Sequence, residues 1–597
     1  MVHAATHTLI LGLLAAMLIG SQAMAEANSS AFRFYEHPGV QRDLQQSRAP
    51  QLGAAHTISL SSELHTEFSD AQIELIRRHG PWLTHDGISH NAQVLIRTIQ
   101  DARVHGLNPE TYELSSILLT VDALSHLDDM QKKTADKQAP NDIGGVNTLR
   151  YKLSELLDSN FIKLAEHLGQ GVVNGRELQS RLYRDAPRIN AFNLLVSINN
   201  AELSTKEALS QVIPGHPSYG RLTQTMRDLL TEQSTGVQRT YVATSNAAQL
   251  ISEAADKQTI RERLLETGDL TFDAYMATNA DAELLRALRA FQKRHGLEES
   301  SFANEKTRLA LNATVEEDIE AVALSLERWR WLPRDFGERH IFVNIPDYRV
   351  NLIDNGITTL SMPAVVGKYK HQTPSFSRNM SYMEFNPTWT VPAKIANKEL
   401  IPKERRKPGY LASRNFDFLK RVGNRLIKVP ASSVSRDDFN ATWFPYVLQQ
   451  RGGSMNALGR MKFMMPNQYA IYLHDTQAKK HFTLNDRAYS HGCIRLGDPD
   501  TLAQQLMSAD GYSQQKIDES MSSKITHRVR FRKPLPTHLV YLTTWVDENG
   551  NLQKRPDIYR NDNKLLHALI NNATLLSQPV DLSVDNSDIN DINRQGS

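Results

Sequence analysis

The hydrophobic period of this chain changes at Pro333, and the change limits what each side of it can fold into. Upstream, apolar residues recur at helical spacing: Leu284, Leu285, Leu288 and Phe291 form one face, and Ile319, Val322, Leu326 and Trp329 another. Downstream they alternate. Ile341, Val343 and Ile345 are separated by Phe342 and Asn344, and Val350 and Leu352 lead to Asn355-Gly356, a strong signal for a two-residue hairpin. Helices need a period of 3.6 and strands a period of 2, so a helical part and a β-rich part are expected, together a multi-domain α+β chain. With 597 residues, 40% hydrophobic and 22% charged, there is material for several cores.

The N-terminus reads as an export signal. Leu9 to Gly20 is apolar, and Ala23-Met24-Ala25 places small residues where a signal peptidase cuts, before Glu26. The run is shorter than the roughly 20 residues a membrane span requires. Its leader lacks Lys and Arg, which leaves an uncleaved anchor as the alternative. Residues 1–25 are therefore expected to be a signal peptide and 26–60 a linker. Residues 61–267 read as a mainly helical scaffold. Its first helix carries Leu64, Phe68, Ala71, Leu75 and Ile76, its second runs from Ala92 to Val104, and Asp128 to Val146 reads as a surface loop. Residues 268–315 form a small unit whose first helix ends at Gly296 and whose second runs from Glu305 to Leu311. Thr314-Val315-Glu316-Glu317 is a capping box that opens a connecting helix over 316–335. The β-rich part spans 336–560. Within it, 397–460 is rich in charge and glycine and breaks the strand pattern, as an inserted cap would; Gly409, Gly423, Gly452 and Gly453 are candidate hinges. A helix and a polar, disordered tail are expected over 561–597.

Cys493 is the sole cysteine, so it has no disulfide partner within the chain. It lies in Tyr489-Ser490-His491-Gly492-Cys493-Ile494-Arg495-Leu496. A thiol needs a base or cation to become a nucleophile. His474, at the end of a strand expected from Ala470, is better held for that task than His491 in the same turn, and Asp475 could orient it through its carbonyl or its carboxylate. Tyr472 shares the strand face of His474. Gly492 allows close backbone approach, so the N–H groups of Gly492 and Cys493 could hold an oxyanion, with Ser490 and His491 shaping the motif. A zinc site from His474, His481, His491 and Cys493 fits by ligand type but matches no familiar spacing. A net charge of +2 implies no polyanion surface, hence no nucleic-acid partner.

These residues resemble the signature of the L,D-transpeptidase catalytic domain: Tyr472-Leu473-His474, then Ser490-His491-Gly492-Cys493-Ile494-Arg495. Val365-Val366-Gly367-Lys368 with Thr373-Pro374 resembles an earlier element of that family. Ser325 to Pro333 and Phe385-Asn386-Pro387-Thr388-Trp389-Thr390-Val391-Pro392 resemble its large periplasmic type. Leu288 to Leu297 with Thr307 to Asn312 is similar to the small three-helix peptidoglycan-binding domain. The resemblance implies a periplasmic enzyme acting on peptidoglycan stem peptides without metal or organic cofactor. Cys493 would attack the diaminopimelate–D-Ala bond, form a thioester, and pass the acyl group to an amine of a second stem as a 3→3 cross-link. Tyr472, Arg495 and Trp389 are the substrate-binding candidates. Hydrolysis of the same thioester would make it an L,D-carboxypeptidase. A non-catalytic wall-binding scaffold is the reading from another class. Other cell-wall synthesis proteins are candidate partners.

Overall fold

The structure, a computed structural model, describes residues 80–572 apart from 85–86, 135–142, 179–181, 183–185, 244–253 and 277–279. The expected signal peptide, the linker, the helix carrying Leu64 to Ile76 and the tail beyond 572 lie outside the described residues. Among the described residues no helix is long and apolar enough to cross a membrane.

The first helices are built around one core. Helix His90–Gln100 starts where the Ser89 hydroxyl accepts from the Ala92 N–H at 3.1 Å, and its Leu95 and Ile99 pack with Tyr112, Leu157 and Phe161. The stretch expected as a loop from Asp128 to Val146 is helical at both of its ends, while 135–142 lie outside the described residues. Helix Leu114–Thr134 enters it and helix Ile143–Gln170 leaves it. Lys132 and Lys133 are good helix formers, Pro140 falls between the two helices, and Gly144 and Gly145 occupy a first turn that Val146 anchors in the core.

The next core joins helices Ala254–Glu266, Ala280–Arg294 and Glu305–Leu311 through Ile260, Leu264, Leu288, Phe291 and Leu311. The segment expected to begin at 268 thus shares its core with the helix just upstream. Gly296 takes φ 64, and the Leu297 N–H closes the helix on the Gln292 carbonyl at 2.8 Å.

Helix Val315–Arg330 links the parts, and both bonds of its expected capping box are present. Its buried Glu327 and Arg330 pair at 2.8 Å. Glu327 also accepts the N–H groups of Val172 and Val173 at 2.7 and 3.0 Å, and Arg330 reaches the Tyr219 hydroxyl. A buried pair is tolerable when such bonds satisfy it. On the other flank Arg328 pairs at 2.5 Å with Asp562 of the C-terminal helix Asp562–Asn571.

Nine strands form the main sheet: β1 Arg339–Asn344, β2 Arg349–Asp354, β3 Ile357–Gly367, β4 Phe376–Phe385, β5 Met461–Met464, β6 Leu473–His474, β7 Ala488–Ser490, β8 Ile494–Leu496 and β9 His527–Val540. Their order is β7-β3-β8-β6-β5-β4-β9-β1-β2, and pairing of β2 with β3 closes the sheet on itself. The hairpin expected at Asn355-Gly356 joins β2 to β3, with φ 49 and 80 at those residues. One face buries Met383, Phe463, Leu473 and Ile494 against Leu502 and Leu506 of helix Pro499–Ala509. The strand expected from Ala470 pairs only at Leu473 and His474. The Asn467 side chain folds the preceding residues into a turn, bonding the N–H and C=O of Ile471 at 3.2 and 2.7 Å, and Ala470 adopts φ 56.

The insertion leaves after β4 and returns at β5, starting before residue 397. It is not strand-free. Trp389–Thr390, Val447–Gln450, Phe416–Val422 and Arg425–Val429 form an antiparallel sheet in that order, over a separate core of Phe416, Phe418, Phe444 and Leu448. Charged outward positions such as Asp417, Lys420 and Arg421 hide this alternation in the sequence. Gly423 lies in the turn of a cap hairpin, while Gly452 at the neck is wedged so that a Cβ would lie 2.6 Å from the Asn386 carbonyl oxygen.

Burial of histidines makes the fold acid-sensitive. His295 and His474 are 9% and 5% exposed, and loss of hydration brings both from 6.5 down to about 3. His105 and His167, bonded to the hydroxyls of Tyr219 and Tyr112, are held equally low, chiefly by the same desolvation. These groups are depressed in the fold, so the unfolded chain binds protons that the fold refuses as pH drops through 6.5 towards about 3. Thermal unfolding followed by calorimetry is expected to give a Tm that falls steadily between pH 7 and pH 4. A flat or rising Tm over that range contradicts these assignments.

Candidate active site

Pleating gives the main sheet two unlike faces. Leu473 and Ile494 point into the core, so their neighbours Tyr472, His474, Cys493 and Arg495 lie on the opposite face. Strands β6 and β8 run parallel with His474 beside Arg495, and β5 and β6 run antiparallel with Lys462 opposite His474. The next residue in this row is Glu384 on β4, opposite Lys462, followed by Arg528 on β9.

Cys493 ends the turn between β7 and β8 and is half-buried. Its thiol lies 3.6 Å from the Ala470 carbonyl. Burial pushes the Cys493 thiol up from its ordinary value; the polar backbone and hydroxyl of Tyr472, then the charges of Lys462 and Arg495, pull the other way, and Trp389 of the cap acts on the Tyr472 hydroxyl in turn. Tyr472 is itself pushed well above the ordinary phenol range by burial and by the charge of Cys493. It stays protonated and can donate to a thiolate.

His474 sits under Tyr472, with ring centroids 5.6 Å apart. Its Nδ1 bonds the Asp475 backbone carbonyl, so Nδ1 carries the proton and Nε2 keeps a lone pair. The carbonyl, not the carboxylate, therefore orients the ring. The Asp475 carboxylate instead accepts from the N–H groups of Arg460 and Thr476 at 2.8 and 2.7 Å and from Lys479 at 2.7 Å. Desolvation and the nearby Arg495 hold His474 neutral at physiological pH. Among the described residues no hydrogen bond joins His474 to Cys493.

The expected oxyanion arrangement needs correction. The Gly492 N–H donates to Ser490 Oγ at 3.0 Å, and Ser490 Oγ–H donates to the Cys493 carbonyl at 2.6 Å. Ser490 thus ties the turn and occupies the Gly492 donor, which leaves the Cys493 N–H of the expected pair. Gly492 adopts φ 118, a left-handed conformation in which a side chain would be strained. His491 turns away from the sulfur. Its Nε2 meets Glu399 of the cap at 2.5 Å and its ring packs on His371. His481 stacks on Tyr489, so the histidines weighed as zinc ligands face different partners. Trp389 comes from the cap, distant in sequence, and acts on the Tyr472 hydroxyl.

Several supporting residues are not among the site candidates read from the sequence, although Gly367 and Thr373 lie in its family-like element. Thr373 Oγ1 donates to the Gly492 carbonyl and accepts the Gly367 N–H, both at 2.8 Å. The Tyr559 hydroxyl donates to the Gly367 carbonyl at 2.6 Å and accepts from the Thr373 N–H at 3.0 Å. Tyr559 lies far along the chain, so no local pattern marks it. Lys462 places its ammonium 4.3 Å from the Tyr472 ring centroid, in a β-strand whose alternation looks ordinary.

Residues 338–518 match the family model of the L,D-transpeptidase catalytic domain, and residues 79–226 match a scaffold domain. The scaffold match precedes the catalytic-domain match along the chain. A relative from Haemophilus influenzae, named "Putative L,D-transpeptidase", is 35% identical over 252 residues. The match covers 42% of this chain and 50% of the relative, so the chain spans about half the length of the curated relative it matches. Two solved structures also align. An L,D-transpeptidase from Mycobacterium smegmatis does so at 14% identity and TM-score 0.16, over 34% of this chain and 58% of that one. An L,D-transpeptidase from Xylanimonas cellulosilytica does so at 12% identity and TM-score 0.15, over 47% and 92%. At these TM-scores neither adds to the fold assignment.

Proposed function

We propose that the L,D-transpeptidase catalytic domain of this chain cross-links peptidoglycan stem peptides through a thioester on Cys493. The observation that carries this reading is the seat of the sulfur: Cys493 follows the turn into β8 on the face that bears Tyr472 and a tautomer-fixed, neutral His474 on the adjoining strand. Cys493 and His474 rest in their neutral forms, since burial raises the thiol and lowers the imidazole. The reaction then starts from a thiol and a base, not from a preformed ion pair. Cys493 Sγ attacks the L-centre carbonyl of the diaminopimelate–D-Ala bond as its proton passes to His474 Nε2. The Cys493 N–H faces the developing oxyanion. The C–N bond breaks, the amine takes the proton from His474, and D-Ala leaves. An amine of a second stem attacks the thioester, gives its proton to His474 and releases the thiol with a 3→3 cross-link formed. The Tyr472 hydroxyl can donate to the sulfur in both half-reactions, and the cap supplies Trp389 behind it. The reaction would take place in the periplasm after removal of residues 1–25, with the unit around Ala280–Leu311 as a wall-binding candidate.

The test is mass spectrometry of tetrapeptide muropeptides after incubation with the purified protein. Dimers that have lost one D-Ala and are joined between two diaminopimelates are expected. Tripeptide without dimer would make the protein an L,D-carboxypeptidase, and an unchanged muropeptide profile would overturn the reading.

A further inference from the structure

Two cations flank His474 and neither has an anionic partner. Lys462 on β5 and Arg495 on β8 are its register neighbours on either side, and the pleat puts all three on the face that carries Cys493. Among the described residues no carboxylate comes within 4.0 Å of either cation. Among the described residues half-buried Arg103 and Arg487 also lack a carboxylate within 4.0 Å, but neither lies on the face that carries Cys493, and several buried or half-buried arginines are paired. Arg294 pairs with Asp269 at 2.6 Å, Arg330 with Glu327 at 2.8 Å and Arg555 with Asp347 at 2.7 Å. Glu384, the register partner of Lys462 on its other side, meets Arg528 at 3.3 Å instead.

The Lys462 ammonium lies over the Tyr472 ring. Arg495 has a buried Nε without a hydrogen-bond partner, and among the described residues its guanidinium hydrogen-bonds only His481 Nδ1, at 3.5 Å. Desolvation weakens the hold of both groups on their protons, Lys462 despite the longer-range pull of Glu384 and Cys493. A half-buried cation without a counter-charge destabilises the resting fold, and a bound anion would relieve that cost.

We propose that Lys462 and Arg495 form a clamp for the C-terminal carboxylate of the residue that leaves the stem peptide. This rests on the reaction proposed above. In that reaction the carboxylate of the departing D-amino acid lies two bonds from the scissile nitrogen, next to the sulfur and the imidazole that these cations bracket. The clamp restricts cleavage to the bond adjoining a free chain terminus. It also counters the charge of a leaving group that would otherwise repel the thiolate.

The experiment compares a free-acid tetrapeptide stem with the same stem amidated at its C-terminal D-Ala, in wild type and in Lys462→Met, which keeps the apolar stem over Tyr472. Release of D-Ala or D-alaninamide gives kcat/KM for each. Wild type is expected to favour the acid by at least about tenfold, and Lys462→Met to lose most of that preference, as removal of a charge-assisted contact should. Equal falls on both substrates would mean that Lys462 serves only the thiolate or the fold, and would overturn the clamp. So would a preference that follows amidation of the diaminopimelate side-chain carboxylate instead. Calorimetric titration of the Cys493→Ser protein with the two stems reads the clamp without turnover. Tighter binding of the acid, lost on adding Lys462→Met, sustains the clamp even if wild type turns over neither stem, whereas equal binding of acid and amide removes it.

Discussion

Cys493→Ala is expected to take up no acyl group and to form no cross-links. The sulfur is the nucleophilic atom of the proposed reaction, and alanine offers nothing to form a thioester. The fold should survive. Cys493 packs at the edge of the core, partly buried, and loses one atom. Intact-mass measurement after incubation with meropenem should show one adduct on wild type and none on the variant, with thermal unfolding alike in the two. An adduct on the alanine protein would remove Cys493 from the mechanism. Retained cross-linking in the muropeptide assay would do the same.

His474→Ala should slow acylation by about 10²–10⁴-fold, the usual loss for a general base. His491→Ala should cost far less, because its Nε2 is committed to Glu399 on the cap and its ring to His371. The two substitutions differ in kind as well as size. Removal of His474 takes away the acceptor for the thiol proton, so the variant should regain rate at alkaline pH as Cys493 ionises by itself. Because burial holds that thiol above its ordinary value, the recovery should begin above the pH at which a free cysteine ionises. His491→Ala should keep the wild-type pH profile while loosening the cap. If His491→Ala is the slower protein, or if His474→Ala shows no alkaline recovery, the roles are assigned wrongly.

Local pattern made much of the architecture legible. The Asn355-Gly356 hairpin, the Thr314–Glu317 capping box and the helix ended by Gly296 depend on neighbours in sequence, and each forms as read. Where a reading failed, distant packing had decided the outcome. Asp128 to Thr134 looks like a loop by composition but continues a helix whose earlier turns pack on Phe161 and its neighbours. The cap looks irregular because its outward positions are charged, yet Phe416, Phe418 and Leu448 build a core that no short window displays. The pairing of Ala470 with its neighbours was lost to Asn467, whose side chain satisfies the backbone in place of a strand partner.

The sequence by itself determined the candidate nucleophile, the histidine on the neighbouring strand and their common face, because a lone cysteine in a motif and a period of two are local facts. What only the tertiary structure decided is how those groups are held. The orienting group for His474 is a carbonyl, since the Asp475 carboxylate is drawn to Arg460, Thr476 and Lys479. The Gly492 N–H is spent on Ser490. Trp389 and Glu399 arrive from an insertion, Tyr559 from near the end of the described chain, and Lys462 through strand register. Each depends on which residues meet across a closed sheet. Hydrogen-bond competition and burial then fix who pairs with whom, and neither is a property of any one stretch of chain.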